Sequence, residues 1–345
     1  MLQLAWANLR SNSLSTALSV ILLSIGVGMV SFIVVISGQL NDRFNRDIRG
    51  IDMVVGAKGS PLQLILSAVY QIDNPTGNIP MKEVARIQHH PLVKHTIPLA
   101  YGDSYNGYRI VGTDTLYLSH FKAELAEGNH WKTDMEVVLG SDVAQKLGLG
   151  VGQHFHGTHG LEQEGETHDE MEYQVVGILS QTGSVADRLI LTSVSSVWNI
   201  HDHNEEEDEH DHHHEHKTEQ PKEITALLVK FKSPMGMMQL PRFINQKTSM
   251  QAALPSIEVN RLYNLMGIGF TTLQIIGWII MVIAAVSVFI SLLNSLKERK
   301  YELALMRSLG ASPSKLFTLI LQESLLLCLA GYAAGIVIGR IGMMV

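Results

Sequence analysis

Seven histidines, His201, His203, His210, His212, His213, His214 and His216, are interleaved with Asp202, Glu205, Glu206, Glu207, Asp208, Glu209, Asp211 and Glu215. Neutral imidazole beside carboxylate suits zinc, nickel or copper, so the pattern reads as a transition-metal ligand set. Residues 201–219 hold no apolar side chain that could anchor them to a core, which implies a solvated capture loop of modest affinity rather than a structural metal centre. The carboxylates favour protonated imidazole, so capture competes with protons and weakens below about pH 6. A second polar stretch adds His154, His156, His159 and His168. The alternative reading of the tract is an acidic spacer with incidental histidine.

Other chemistry is not legible. The string Gly56-Ala57-Lys58-Gly59-Ser60 has the wrong spacing for a phosphate-binding loop, and no HExxH, GxSxG or CxxC motif occurs. Acidic pairs such as Asp103 with Glu124 are indistinguishable from surface charge, so the chain reads as non-catalytic. The net charge of −7 comes from the eight acids of the tract; the remainder is close to neutral, and no basic face suggests nucleic acid. Cys328 is the single cysteine, so no intrachain disulfide supports the fold.

The strongest local pattern is Glu298 to Phe317, ERKYELALMRSLGASPSKLF. Leu303, Met306 and Leu309 give a helical rhythm, Gly310 a stop, and Ser312 with Pro313 a new helix start. A short helix held between two membrane helices could pass a push into the bilayer. A basic interfacial loop is the plainer reading.

The elements around it are membrane helices. Uncharged runs from Ser11 to Asn41 and Tyr263 to Leu296 exceed the roughly 20 residues that cross a hydrocarbon core, and a run near 316–341 makes a third span if Glu323 faces protein or an interface. The expected layout is a surface helix at 1–13, spans at 14–40, 262–296 and 316–341, and a connection at 297–315. Arg10, Lys297, Arg299, Lys300, Arg307 and Lys315 flank the spans on one side, which places those segments in the cytoplasm and residues 41–261 outside it. Gly331, Gly335 and Gly339 line one helix face and invite close approach of a second membrane helix. In the polar region, strands are expected at Met53–Val55, Tyr108–Gly112, Glu136–Leu139, Tyr173–Ile178, Arg188–Thr192 and Ile224–Phe231, with helices at Pro61–Tyr70, Met81–His89, Ser141–Leu147 and Val194–Ile200. This makes an α+β domain of one or two lobes.

The segment holding Glu298, Arg299, Glu302, Leu303, Ala304, Arg307, Ser308, Leu309, Gly310 and Ala311 resembles the connection between the second and third transmembrane helices of FtsX/MacB-type ABC permeases. Ala7 to Arg10 with Ser24 to Gly28 is similar to that family's first helix, and Glu136 to Gly152 and Val175 to Ile178 resemble its ectodomain. The resemblance implies a MacB-like periplasmic core domain inserted between the first two helices of a bacterial inner-membrane protein. It also implies a dimer of permeases on two cytoplasmic ABC ATPase subunits that bind the ATP, with Glu298, Arg299, Glu302, Arg307 and Gly310 in the coupling segment. A fourth helix belongs to the pattern, and after the third apolar run no further span follows, so the expectation is a truncated chain. The His-rich tract is not a general family feature.

Two functions from different classes follow. One is a permease subunit coupling a partner's ATP hydrolysis to movement of an extracytoplasmic domain, in transition-metal handling or in delivery of a lipoprotein or other envelope substrate, with an extracytoplasmic metal-binding protein or lipoprotein and membrane lipid as further partners. The other is a membrane-anchored metal sensor or metallochaperone without a motor.

Overall fold

The computed structural model describes residues 10, 13–158, 167–200, 222–298, 300–309 and 312–342. The chain divides into two units, Met1–Asp42 with Tyr263–Val345, and Arg43–Leu262. In order, the elements are α1 (Ser13–Asp47), β1 (Met53–Ala57), α2 (Pro61–Ala68), β2 (Ile79–Pro80), α3 (Met81–Gln88), β3 (Val93–Tyr105), β4 (Tyr108–Thr113) and α4 (Thr115–His120). Next come β5 (Leu125–Gly128), β6 (Glu136–Leu139), α5 (Ser141–Leu147), β7 (His154–Thr158), β8 (Thr167–Leu179), a 3-10 turn (Val185–Arg188) and β9 (Ile190–Ser193). Helix α6 (194–200), β10 (Glu223–Ile224), β11 (Ala226–Phe231), α7 (Met235–Lys247), β12 (Met250–Ala253), α8 (Pro255–Glu298), α9 (Lys300–Ser308) and α10 (Pro313–Ile341) complete the order.

In the α+β unit the strand order is β12-β1-β11-β3-β4-β9-β6-β8-β5, and β7 pairs with both β3 and β8. That double pairing closes β3, β4, β9, β6, β8 and β7 into a ring. Among the described residues two apolar cores result. One gathers Met53, Val55, Leu227 and Val229 of the open sheet with Val84, Ile87, Leu240 and Ile244 of α3 and α7. The other gathers Ile110, Val137, Leu139, Phe155, Tyr173, Val175 and Ile190 of the ring with Val143 of α5 and Ile200 of α6.

Local chemistry sets the boundaries. Ser60 caps α2 by accepting a hydrogen bond from the Gln63 amide at 3.4 Å, with Pro61 at the first helical position, where its missing N–H costs nothing. Gly148 ends α5 at φ +67°, a left-handed conformation that suits a residue without Cβ. At the other end of α5, Gly140 lets the chain turn against the 3-10 turn: a Cβ there would sit 2.4 Å from the carbonyl oxygens of both Ala186 and Asp187. The turn is itself fastened by the buried carboxylate of Asp187, which accepts from the Thr182 and Gly183 amides at 2.8 and 2.7 Å and from the Thr182 hydroxyl at 2.9 Å.

Several elements differ from the sequence expectation. Strand β3 runs through Pro98 and Gly102, residues that break the β-branched run marking a strand. Helix α7 continues through Pro241, because Leu240 and Ile244, 3% and 1% exposed, fix it on the core despite the lost backbone bond. Arg188 belongs to the 3-10 turn, and the expected strand Ile224–Phe231 is two, β10 and β11, separated at Thr225. The apolar helices also outrun their apolar stretches. Helix α1 extends to Asp47, and α8 starts at Pro255 and has 44 residues, about 66 Å at 1.5 Å per residue.

Replacing Gly140 by Ala should destabilise the α+β unit, since backbone rather than a flexible side chain must yield; a loss of about 1–3 kcal/mol is expected in chemical denaturation. Gly150→Ala, where the added Cβ meets nothing within 4 Å, is the control.

Candidate functional site

Helix α1 carries Ser24-Ile25-Gly26-Val27-Gly28. Two residues apart on a helix of 3.6 residues per turn means about 200° around the axis, so Gly26 and Gly28 face nearly opposite ways. A Cβ on Gly26 would lie 3.2 Å from the Met281 amide nitrogen of α8, and one on Gly277 of α8 would lie 2.7 Å from Val30 Cγ2. A Cβ on Gly28 would lie 3.0 Å from the Gly335 carbonyl oxygen of α10. Helix α1 is therefore packed at backbone distance on both sides.

The small-residue stripe of α10 meets the same helix. Added Cβ atoms at Gly331, Gly335 and Gly339 would come within 2.6 Å of Leu23 Cδ2, 2.7 Å of Val27 Cβ and 3.1 Å of the Gly28 carbonyl oxygen. The facing positions advance in the same direction on both helices, from Gly331 on Leu23 to Gly339 on Gly28, so α1 and α10 run parallel. Such seams hold by van der Waals packing where the surroundings are as apolar as the side chains.

Polar groups lie inside this helical unit. Glu323 of α10 is 5% exposed, while Ser19 Oγ of α1 and Gln322 Oε1 are buried without a hydrogen-bond partner among the described residues. A carboxyl group turned inward is the arrangement that an apolar environment demands.

Between α8 and α10 lies the short helix α9. Tyr301, Leu305 and Leu309, spaced by four, are 91%, 63% and 80% exposed, and Arg307 is exposed beside them. Sequence rhythm draws attention to Leu303, Met306 and Leu309; of these, the structure describes the side chain of Leu309 alone, and it points away from any core. Arg299 and Gly310, and the side chains of Glu298 and Glu302, lie outside the described residues. Ser312 has the extended backbone of an N-cap (φ −71°, ψ 151°) ahead of Pro313, but its hydroxyl pairs with Ser314 Oγ at 3.0 Å rather than with a backbone amide.

The metal candidates His201, His203, His210, His212, His213, His214 and His216 lie outside the described residues, as do His159 and the side chain of His168. Helix α6, which leads into that tract, is anchored at its start. Asp134 accepts from Ser195 Oγ at short distance, from Ser193 Oγ at 2.8 Å and from Asn199 Nδ2 at 3.0 Å, and these bonds, led by Ser195, hold its carboxyl below the usual range. Glu136 is likewise lowered, by the Lys132 and Thr133 amides. Nothing in the spacing of Asp134 from Ser193 and Ser195 announces this cluster; it forms because β6 and β9 are neighbours.

A second polar node is buried. Arg109 of β4, 6% exposed, donates to Gln71 Oε1 and to the Asp73 carbonyl, both at 3.1 Å, and its guanidinium lies 4.6 Å from the Tyr101 ring centroid. Tyr101 donates to the Ser67 carbonyl at 2.7 Å, and burial pushes its phenol far above the ordinary value. Of the acidic pair considered from sequence, Asp103 is 2% exposed whereas Glu124 is exposed, so the two occupy unlike environments.

The profile of the MacB-like periplasmic core domain matches residues 16–238, and that of the FtsX-like permease C-terminal region matches residues 274–344. The chain belongs to the FtsX/MacB-like ABC transporter permeases. Among solved structures it is similar to the periplasmic region of MacB from Actinobacillus actinomycetemcomitans, at 12% identity and a TM-score of 0.41, covering 63% of this chain and 96% of that one. It is also similar to the extracellular domain of the noncanonic ABC-type transporter YknZ from Gram-positive bacteria, at 12% identity and a TM-score of 0.36, covering 58% and 98%. No curated protein matches in sequence.

The helix seam makes a test. Gly335→Leu should lower the thermal midpoint of the detergent-solubilised chain, with an overpacking cost of about 1–3 kcal/mol, because Val27 and the Ser24 carbonyl, 2.7 and 2.9 Å from the added Cβ, have no room to retreat. Gly267→Ala, where nothing lies within 4 Å, should leave the midpoint unchanged or raise it.

Proposed function

We propose that this chain is the non-catalytic transmembrane subunit of an ABC complex in a bacterial inner membrane, and that it couples ATP hydrolysis by a separate cytoplasmic ATPase to movement of its α+β unit on the opposite side. The observation that carries this reading is helix α9. With Leu309 just past its end, it presents Tyr301, Leu305 and Leu309 in an exposed row with Arg307 alongside, a patch that costs free energy unless a partner covers it. Clustered basic residues around α9 favour the cytoplasmic side, where the ATPase resides.

Among the described residues three helices are long and apolar enough to cross a membrane, Thr16–Asp47, Pro255–Asn294 and Ile320–Ile341. In this proposal all three span, and the α+β unit between α1 and α8 in the sequence is periplasmic. Parallel packing of α1 and α10 supports it, since both then enter from the cytoplasm. A second permease copy completes the transmembrane part. The histidine tract of residues 201–216 suits capture of a transition metal, zinc foremost, for handling by the complex, and an extracytoplasmic metal-binding protein or lipoprotein is the corresponding partner.

Leu305→Asp and Arg307→Glu should each reduce ATPase stimulation of the reconstituted complex by about tenfold, equivalent to about 1.4 kcal/mol of interface free energy, with membrane insertion intact. Unchanged stimulation in both variants would count against coupling. If no ATPase copurifies with the chain while zinc still binds, the motor-free metal sensor becomes the better reading. For the tract, calorimetry should show zinc uptake falling when its seven histidines are replaced by serine; equal uptake would remove the metal role from that segment.

A further inference from the structure

Strand β7 carries two imidazoles two residues apart, His154 and His156, and side chains alternate along a strand, so both stand on one face, about 6.7 Å apart along the chain. The residue between them fixes which face. Phe155 is 3% exposed and stacks on Tyr173 of β8, with centroids 5.5 Å apart and planes at 22°, so a one-residue slip would expose this pair and bury both histidines. Across the ladder Glu172 is opposite His156 and Gln174 opposite His154, and cross-strand partners share a face. Two imidazoles and a carboxylate therefore share the face opposite Phe155 and Tyr173.

Their side chains show an unfinished arrangement. Glu172 Oε2 lies 3.2 Å from His154 Nδ1, with the two side chains 51% and 42% exposed. His156 Nδ1 is buried with no hydrogen-bond partner among the described residues, the kind of orphan that an ion accounts for. Among the described residues no three His, Cys, Asp or Glu side chains yet surround one point. Closing this set needs rotation of the exposed Glu172 and His154 side chains, while the paired backbone holds the spacing.

We propose that His154, His156 and Glu172 form a binding site for a divalent transition metal of the zinc class on the β7–β8 ribbon, separate from the histidine tract. Two neutral imidazoles and one carboxylate suit zinc, and three protein ligands leave a fourth position for water or an exchanging donor. The paired strands give this site a defined geometry that a low-complexity tract lacks. Neither the tract's role nor the coupling role of α9 is required for it.

The test uses the full chain in detergent with the seven tract histidines replaced by serine, so that only other sites report. Calorimetry with Zn2+ alone and absorption with Co2+ alone should give one ion per chain. His154→Ala with His156→Ala, and separately Glu172→Gln, should each weaken binding by more than about tenfold, while His130→Ala, at an exposed histidine elsewhere, should not. Circular dichroism of the metal-free variants separates ligand loss from misfolding, and Glu172→Gln, at an exposed position, decides the matter if the double variant misfolds. No zinc taken up by the serine-substituted chain, or equal affinity with and without Glu172 and both imidazoles, would overturn the site. Loss of the tract's zinc alone bears only on the tract.

Discussion

Helix α1 touches α8 through Gly26 and α10 through Gly28, and the packing of the helical unit depends on that pair. Any side chain at either position would hold a neighbouring backbone away, at Met281 on one side and at Gly335 on the other. The partner glycines, Gly277 on α8 and Gly331, Gly335 and Gly339 on α10, are placed so that each seam is small on both faces or meets a shallow aliphatic surface. Dispersion between close backbones supplies the attraction, because apolar surroundings give no solvent-driven reward for burying one more apolar side chain. Inside that packing, Glu323 and Ser19 are turned toward protein.

The α+β unit solves a different problem, burying two cores without a disulfide. Ring closure through β7 leaves fewer open strand edges, and the open sheet is covered by α3 and α7. Between the two cores runs β3, thirteen residues long, pairing with β11 on one side and β4 on the other. Within the stretch from Glu136 to Gly152 that resembles a family signature, Gly140 has a structural reason: it is the point where β6 hands over to α5 against two carbonyl oxygens.

Much of this was legible in sequence because its signals were local. Glu136–Leu139 and Ser141–Leu147 coincide with β6 and α5, since β-branched residues, a glycine and a helical period follow one another without conflict. The apolar helices were legible for the same reason. The long strand β3 and helix α7 were not, because Pro98, Gly102 and Pro241 signal interruption and only long-range packing overrides them. The spacing of Gly331, Gly335 and Gly339 announces a close neighbour but not its identity, which depends on the facing residues Leu23, Ser24, Val27 and Gly28. For the histidines of the α+β unit, counting residues finds ligand types, whereas the shared face of His154, His156 and Glu172 requires strand register, which no local pattern supplies.

Arg109 is a buried cation whose partners are an amide oxygen, a backbone carbonyl and an aromatic face. None of these is a carboxylate, so the guanidinium is held by two neutral oxygen acceptors and by the quadrupole of a ring face rather than by an ion pair. Counter-ions that weaken exposed ion pairs reach such a buried contact poorly. The fastening of the segment from Gln71 to Asp73 onto β4 is thus indifferent to ionic strength, so this part of the unit keeps one shape where the salt around it changes.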